Sequence, residues 1–449
     1  MTQISHPTSA LENYTQDYSD LFKDKRLFTG FQATITGILG SGTTRIAQIA
    51  KAAPQTGTSP HSEQRLRRLI HNKNQRADLT PARISSKFTT RGAKRLAKHD
   101  EVKVILDGSD LRKPYSTSLE HLDTVLDLNG DPVAGYPTLN AIGIGKNGKQ
   151  ALLYHKTYSS LEEGFKSERE EIRMAIQTVT SALRAQGVGR IIWILDRGFD
   201  DRKVIDWILA TGGCYVIRAR HDRNISETPD GKTKKLFEVI KSKPSLGTLE
   251  MNRPVMVDGK LKRKPTQAST RAGGVWLPKP DVLVNVVALE FKRARAKNAE
   301  DQGWVLLTNL PVGNADQAQQ VVALYVLRWS IEEVFAWTKT ALDWERPRPV
   351  RCRFRVKKAT RVLEFSAFRS LVALAWVAAA FIFELDEALE PKAFRALALL
   401  GGWVPHKTRG PGRRVLAWGL ARFLDALLVE QLGYARGMRR VLFGEDLVW

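Results

Sequence analysis

Between Val102 and Arg218, short apolar runs alternate with charged stretches whose apolar positions recur at helical spacing. Short apolar runs predict buried strands, and the longer amphipathic stretches predict helices. In chain order the pattern predicts strands at Val102–Leu106, Thr138–Ile144 and Ala151–His155, a helix at Ser167–Ala185, a strand at Arg190–Leu195, a helix at Val204–Leu209 and a strand at Cys214–Arg218. This alternation is typical of an α/β fold.

The order of three strands, helix, strand, helix, strand is that of an RNase H-like α/β core. Order alone leaves other α/β folds open. The first and the fourth of these strands each run directly into an aspartate, Asp107 and Asp196. The pattern therefore predicts an α/β core with one acidic residue at the end of each of two strands.

The segments on either side of this core differ from it in amino-acid composition. Residues 25–95 are basic with helical patches, and residues 221–300 are rich in turn residues, basic clusters at Lys260–Lys264 and Lys292–Lys297, and the strand-like segment Val282–Phe291. After a short strand at Trp304–Thr308, the segment Ala315–Leu342 contains no Gly or Pro and predicts one long helix, capped by Asn314 or Asp316. Helices rich in Ala, Leu and Arg make up the C-terminal part.

These changes divide the chain into five regions. We predict a helical DNA-binding domain over 1–95, the first part of the core over 96–220, a β-rich insertion over 221–300, the second part of the core over 301–370 and a C-terminal helical region over 371–449. The longest apolar run, Leu371–Phe383, is shorter than the ~20 residues that a membrane span needs, so we expect a buried helix and no membrane partner.

Charge and cysteine content narrow the choice of partner and compartment. The 70 Lys and Arg residues outnumber the 47 Asp and Glu residues and give a net charge of +23, which favours a polyanionic partner such as nucleic acid. Only two cysteines are present, so neither a disulfide framework nor a thiolate zinc site is expected. The N-terminus lacks an apolar signal segment, and we expect a cytoplasmic protein.

Asp107 and Asp196 are candidates for metal ligands. Acids at the carboxyl ends of parallel strands meet at one edge of an α/β sheet, where such sheets bind their ligands. Carboxylate oxygens suit Mg²⁺ or Mn²⁺, and two ions can promote phosphoryl transfer. The alternative is that either aspartate merely begins a turn. Asp110 is a second candidate in the first motif, whereas Asp200 and Asp201 are expected to be acids at a helix start.

A third feature favours the metal site. The predicted long helix carries Tyr325, Arg328, Glu332 and Lys339 in the spacing Y-x2-R-x3-E-x6-K. This signature resembles that of the insertion-sequence-four family of bacterial DDE transposases, to which the transposase of transposon five is related. The segments Ile105–Asp110 and Leu195–Asp200 resemble the family's two aspartate motifs, and Arg45–Asn74 resembles its N-terminal end-binding segment.

The resemblance implies a role for each matching residue. Asp107, Asp196 and Glu332 would hold two ions of Mg²⁺ or Mn²⁺, and Tyr325, Arg328 and Lys339 would contact DNA phosphates. Trp304 lies where relatives that form hairpins hold a flipped base with an aromatic ring. The implied activity is cleavage at the ends of an insertion sequence and transfer of the 3′-hydroxyl ends into target DNA, by a homodimer that pairs the two ends.

Two other functions stay open at this point. An RNase H-like nuclease or resolvase would cut DNA without joining it, and a non-catalytic DNA-binding protein derived from a transposase would have lost one of the acids or basic residues. Glu333 competes with Glu332 as third ligand. On a continuous helix at about 100° per residue, Glu332 shares a narrow stripe with the other three signature residues and Glu333 does not, although such a stripe can also be a solvated helix face.

Overall fold

A computed structural model provides the fold. It describes residues 3–53, 59–71, 79–97, 99–116, 118–127, 129–220, 222–257, 260–278, 282–291, 303–341, 364–406 and 410–431. The basic cluster Lys292–Lys297 lies outside the described residues, as do parts of the predicted core over 301–370 and of the C-terminal region.

Thirteen helices lie in the described part of the chain. They are α1 Pro7–Gln16, α2 Lys25–Ser41, α3 Ile46–Ala52, α4 Ser59–His71, α5 Pro81–Arg95, α6 Glu168–Ala185, α7 Arg202–Ala210, α8 Leu236–Ser242, α9 Ala315–Val326, α10 Trp329–Ala341, α11 Phe365–Ala388, α12 Pro391–Leu400 and α13 Arg413–Gln431. Three short 3₁₀ turns accompany them, one of which directly follows Asp196.

Twelve strands lie in the same part of the chain. They are β1 Glu101–Arg112, β2 Asp123–Leu126, β3 Pro132–Ile144, β4 Gln150–Thr157, β5 Arg190–Leu195, β6 Cys214–Arg218, β7 Asn224–Ile225, β8 Lys234–Lys235, β9 Ser245–Val257, β10 Lys260–Leu277, β11 Val282–Phe291 and β12 Gly303–Thr308. Ten of them form one sheet, and β7 pairs with β8 separately.

The centre of the large sheet has the strand order expected for an RNase H-like core. β1 pairs in parallel with β5 and β5 in parallel with β6, while β3 is antiparallel to β1 and β4 is antiparallel to β3. The helix α6 connects β4 to β5 and α7 connects β5 to β6, as the sequence predicts. The mixed α/β architecture is therefore confirmed, with β2 as an additional edge strand that the hydrophobic pattern did not reveal.

The segment 221–300 is β-rich, and its long strands extend the same sheet. β12 pairs antiparallel with β6, β11 with β12, β10 with β11, and β9 with β10 at the outer edge. The long strands of the predicted insertion are thus joined edge to edge to the core through β12, whereas its short strands β7 and β8 pair apart from this sheet.

The helices at the two ends of the chain pack together. Tyr14 of α1 stacks on Phe381 of α11 at 5.1 Å between ring centroids, and its hydroxyl donates to the Val377 carbonyl at 2.7 Å. One continuous apolar core contains residues of α1 to α5 and of α11 to α13. The N-terminal helices therefore share a core with the C-terminal region, and the helical DNA-binding domain over 1–95 stays a prediction.

The helix α11 contains the long apolar run. By length and composition it is apolar enough to cross a membrane, but 89% of its most apolar window is buried inside the protein. The prediction of a buried core helix is confirmed.

Three predicted elements differ most from the observed ones. β3 begins at Pro132 and not at Thr138, because its first residues pair with β2. β1 continues through Asp107 to Arg112, because its second half keeps pairing with β3 after the pairing with β5 has ended. The predicted single helix Ala315–Leu342 is two helices, α9 and α10, separated by a turn at Leu327 and Arg328. The predicted cap is confirmed at Asn314, whose side chain accepts a hydrogen bond from the Gln317 amide at 2.9 Å.

Candidate active site

The register of the sheet brings the two aspartates side by side. Leu106 of β1 is the parallel partner of Leu195 of β5, and the next residue on each strand is the aspartate. Asp107 and Asp196 therefore occupy equivalent positions on adjacent strands, and neighbouring strands lie ~4.8 Å apart. Asp196 also caps the following 3₁₀ turn, where its side chain accepts a hydrogen bond from the Gly198 amide at 2.5 Å. The sheet edge thus carries both acids, as predicted.

The third acid, Glu332, is linked to this sheet edge by an arginine that also contacts Asp107. Arg328, in the turn between α9 and α10, donates to Asp107 Oδ2 at 2.9 Å and to Glu332 Oε1 at 3.3 Å through the same Nη1. Its guanidinium also lies over the Trp329 ring, 4.7 Å from the centroid. Arg328 is buried, and Glu332 is half-buried one turn later. One guanidinium therefore joins two of the three predicted metal ligands.

Asp107 is in an unfavourable environment for a carboxylate. Burial raises its pKa to about 8, and the negative charges of Asp196 and Glu332 act in the same direction. The Arg328 guanidinium and the Gly108 amide oppose this increase without cancelling it. A buried carboxyl beside two further acids is stabilised in its ionised form by an additional cation.

The chemistry of this donor set fits divalent cations, although the present arrangement is not a coordination sphere. Among the described residues, no three His, Cys, Asp or Glu side chains are placed to hold a metal ion together. At this edge the Arg328 side chain lies against two of the carboxylates and supplies a positive charge. Three carboxylates near one buried site are hard oxygen ligands of the kind that Mg²⁺ and Mn²⁺ prefer.

Tyr325 and Trp304 pack against each other behind the acids. Burial raises the pKa of Tyr325, which is hydrogen-bonded to the side chain of Arg218 on β6. The Trp304 ring contacts Tyr325 at 5.0 Å and Phe291 at 5.3 Å, edge to face in both cases, and is only 5% exposed. The roles of both residues in DNA binding stay predictions, and the indole face that would stack on a base is covered here.

The remaining signature residue, Lys339, is half-buried on α10, two turns after Glu332. Glu333 is exposed on another side of that helix, where its charge acts on Arg413 of α13. The structure therefore brings Glu332, and not Glu333, towards Asp107. The helical stripe used to predict this assumed one continuous helix, and the turn at Arg328 interrupts it.

The competing aspartates have other partners. Asp110 lies three residues from Asp107 on the same strand, so its side chain points to the opposite face, where its charge acts on Tyr158. Asp201 caps α7, as expected for an acid at a helix start. Asp200 is instead paired with the Arg223 guanidinium and accepts a hydrogen bond from the Arg220 amide at 2.8 Å. These contacts give all three structural roles.

Sequence reasoning missed a polar network next to Asp107. Asn140 of β3 is the cross-strand partner of Asp107, and its side chain donates to Thr138 at 3.0 Å and contacts His155 at 2.7 Å. All three residues of the network are buried. The sequence signal that could have revealed this network is the pair of polar residues, Thr138 and Asn140, at alternate positions of the otherwise apolar strand β3.

A comparison with protein families adds independent information. Residues 164–361 match the family model described as a transposase DDE domain. The match covers less than half of the chain and includes Asp196, the insertion and all four residues of the Y-R-E-K signature, whereas Asp107 lies on a strand that precedes it. The match supports a DDE transposase.

Proposed function

We propose that the protein is a metal-dependent DNA transposase that cleaves the ends of an insertion sequence and transfers the freed 3′-hydroxyl ends into target DNA. The observation that carries the proposal is the convergence of Asp107, Asp196 and Glu332 at one sheet edge around a buried guanidinium. The insertion-sequence-four assignment and the relation to the transposase of transposon five are part of this proposal and rest on the signature residues.

The three carboxylates would hold Mg²⁺ or Mn²⁺, as a pair of ions. When bound, such ions activate the attacking oxygen and stabilise the leaving oxygen of an in-line phosphoryl transfer. Asp107 and Asp196 are suited to this because the sheet fixes both of their backbones, one residue beyond the end of the parallel pairing. Glu332 lies on the helix α10, outside the sheet, so its side chain adjusts more easily than those of the two aspartates.

Arg328 would exchange partners in the working enzyme. Without added cations its guanidinium balances Asp107 and Glu332. Once cations neutralise these acids, the guanidinium is available for a DNA phosphate, which it can bind in a bidentate fashion. Tyr325 and Lys339 would contact phosphates beside it, and Trp304 would hold an unpaired base after turning away from Tyr325.

The proposed partners follow from charge and from the reaction. The net charge of +23 favours double-stranded DNA, both as terminal inverted repeats and as target. Joining two ends in one event calls for a homodimer in a synaptic complex. The N-terminal helices would bind the element ends, and the protein would act in the bacterial cytoplasm on the nucleoid.

The test is a strand-transfer assay with duplexes that carry the DNA flanking the gene and a supercoiled target plasmid. We expect Mg²⁺-dependent cleavage and joined products for the wild-type protein, and neither for Asp107→Ala or Asp196→Asn, with binding to the ends retained. Asp206→Asn on α7 is the matched control, because among the described residues this acid forms its ion pair with Arg202 on its own helix. Cut ends without joined products would identify a nuclease and contradict the proposal.

A further inference from the structure

A large basic cavity lies beside the candidate active site. It has a volume of about 520 Å³ and is bordered by β6, α8 and the strands β10 to β12. Five basic side chains line it against one acidic side chain: Arg197, Arg218, Arg220, Lys241 and Arg271, with Glu290. Such an excess of positive charge in a concave surface attracts an anionic ligand.

Two residues that line the cavity are neighbours of the candidate site. Arg197 follows Asp196 directly in the chain, and Arg218 is hydrogen-bonded to Tyr325 behind the site. Trp304 contributes to the wall between the two regions. A ligand in the cavity therefore lies close to the strand ends that carry Asp196 and Arg218.

The far wall offers an aromatic surface as well as charge. Phe237 of α8 lines the cavity and is 39% exposed, which is unusual for a large apolar side chain. Lys241 lies four residues later, on the same face of that helix. Basic groups interleaved with an accessible ring are the features that bind single-stranded nucleic acid, in which bases stack and phosphates pair with cations.

One face of β10 continues from the cavity outwards. Arg271 and Ser269 line the cavity, and Gln267, Pro265 and Arg263 follow at alternate positions, all exposed. The intervening Thr270 and Ala268 are buried against the core. At ~3.3 Å per residue, this polar face runs for about 26 Å from Arg271 to Arg263.

We propose that the cavity and the exposed face of β10 bind a stretch of unpaired DNA strand next to the cleavage site. This inference rests on the proposed function and adds a substrate feature to it: several unpaired nucleotides that leave the active site along the insertion. Phe237 stacks on a base, and Lys241, Arg271 and Arg220 bind phosphates. At the ~3.4 Å per nucleotide of a fully stacked strand, the face of β10 accommodates up to about eight nucleotides, and fewer when the strand is more extended.

The experiment measures binding of end-containing duplexes in the Asp196→Asn background, where cleavage does not interfere. The probes are a blunt duplex and the same duplex with single-stranded overhangs of about two and about eight nucleotides. We expect the longer overhang to bind more tightly than the shorter one, and both more tightly than the blunt end. Phe237→Ala removes a stacking ring and lowers overhang affinity roughly 5- to 100-fold. Lys241→Gln reduces the salt dependence of overhang binding by about 0.7 in log–log slope.

Matched controls separate this binding from general charge and stability effects. Lys232→Gln removes an exposed lysine outside the cavity, and Leu283→Ala removes an exposed apolar side chain, so both leave the overhang preference unchanged. Phe237→Tyr keeps the ring and retains the preference. Equal binding of blunt and overhang probes, or an unchanged preference in Phe237→Ala and Lys241→Gln, overturns the inference. Cleavage by the wild-type protein is measured separately, so a failure here is distinguishable from a failure of the proposed function.

Discussion

At the scale of single residues, Arg328 determines the charge balance of the candidate site. It is buried and contacts two carboxylates that come from different parts of the chain. Removal of one member of a buried ion pair leaves the other without compensation, which is far more costly than the loss of an exposed pair. The acids and the arginine therefore form one unit, and a substitution of any of them affects the others.

The third metal ligand can be tested by comparing two adjacent glutamates. Glu332→Gln keeps the shape of the side chain but removes a charge that faces Arg328, and we expect it to abolish Mn²⁺-dependent nicking of an end-containing duplex. Glu333→Gln removes a charge from an exposed position near Arg413, so nicking changes less than a few-fold. Equal activity of the two variants would contradict the assignment of Glu332.

The buried His155 makes stability depend on pH. Burial lowers its pKa to about 3, whereas the unfolded chain binds the proton near pH 6.5. Between these values the unfolded state binds more protons, so the free energy of unfolding falls as the pH is lowered from about 6.5 towards 3. From pH 7.5 to 5.5 we expect wild type to lose about 1 kcal/mol more than His155→Gln.

Urea unfolding at the two pH values measures this difference. The carboxylates that titrate in the same range are common to both proteins and cancel in the comparison. His155 is stacked on Trp376 and hydrogen-bonded to Asn140. We therefore expect His155→Gln to be less stable than the wild-type protein at both pH values. A wild-type loss no larger than that of the variant would show that His155 does not titrate on unfolding.

Individual site residues were predictable to different degrees. Asp107 and Asp196 follow apolar strands, which is a local signal that a single sequence carries. The position of Arg328 between two acids was not predictable, because it depends on a contact with a strand more than two hundred residues away. Arg220, Lys241 and Arg271 in the cavity are likewise separated in sequence and are assembled only by the added strands.

At the scale of elements, the turn between α9 and α10 is the main departure from the hydrophobic pattern. The Arg328 amide donates to the Tyr325 carbonyl at 3.0 Å, and the Ile331 amide to the Arg328 carbonyl at 3.2 Å, so the chain tightens over these residues. No Gly or Pro marks the turn in the sequence. The turn instead coincides with the tertiary contacts of Arg328. The other core strands and helices, whose pattern is set by local burial, were predicted within a few residues, whereas β1 and β3 each extend six residues beyond the predicted end.

The contact between α5 and β4 is tight enough to test by adding one methyl group. A Cβ at Gly92 would lie 2.1 Å from the Leu152 carbonyl oxygen, so the backbone of one element must move. We expect Gly92→Ala to lower the free energy of unfolding by about 1–3 kcal/mol. Gly30 of α2 has open space around it, and Gly30→Ala is expected to raise stability by up to about 1 kcal/mol through helix propensity.

Denaturant unfolding of both glycine variants measures the effect, and circular dichroism checks that the fold is retained. If Gly92→Ala were as stable as Gly30→Ala, α5 would not be seated against β4 as closely as described.

At the scale of the whole molecule, the two ends of the chain depend on each other. Arg91 of α5 donates to Glu384 of α11 at 3.0 Å, also pairs with Asp17, and lies over the Tyr14 ring at 4.1 Å. The Ile4 amide further donates to the Ala388 carbonyl at 3.0 Å. The helices before the large sheet thus cover α11, the most apolar of the described helices.

A fragment that begins at residue 96 tests this dependence. Without α1 to α5, much of the apolar surface of α11 is exposed to water, and we expect the fragment 96–449 to aggregate instead of folding. Size-exclusion chromatography and circular dichroism of the fragment, beside the full chain, measure the outcome. A monodisperse, helical fragment would show that residues 1–95 form an independent domain, as the sequence pattern suggested.

The way in which the insertion joins the sheet has an evolutionary consequence. Among the described strands of residues 221–308, β12 is the one that pairs with β6, and the β9–β10 hairpin lies at the opposite edge of these added strands. Residues gained or lost near the tip of that hairpin leave the pairing of β12 with β6 unchanged. Selection can therefore vary the reach of the outer ribbon independently of the acids, so that new substrate preferences arise while the chemistry is preserved.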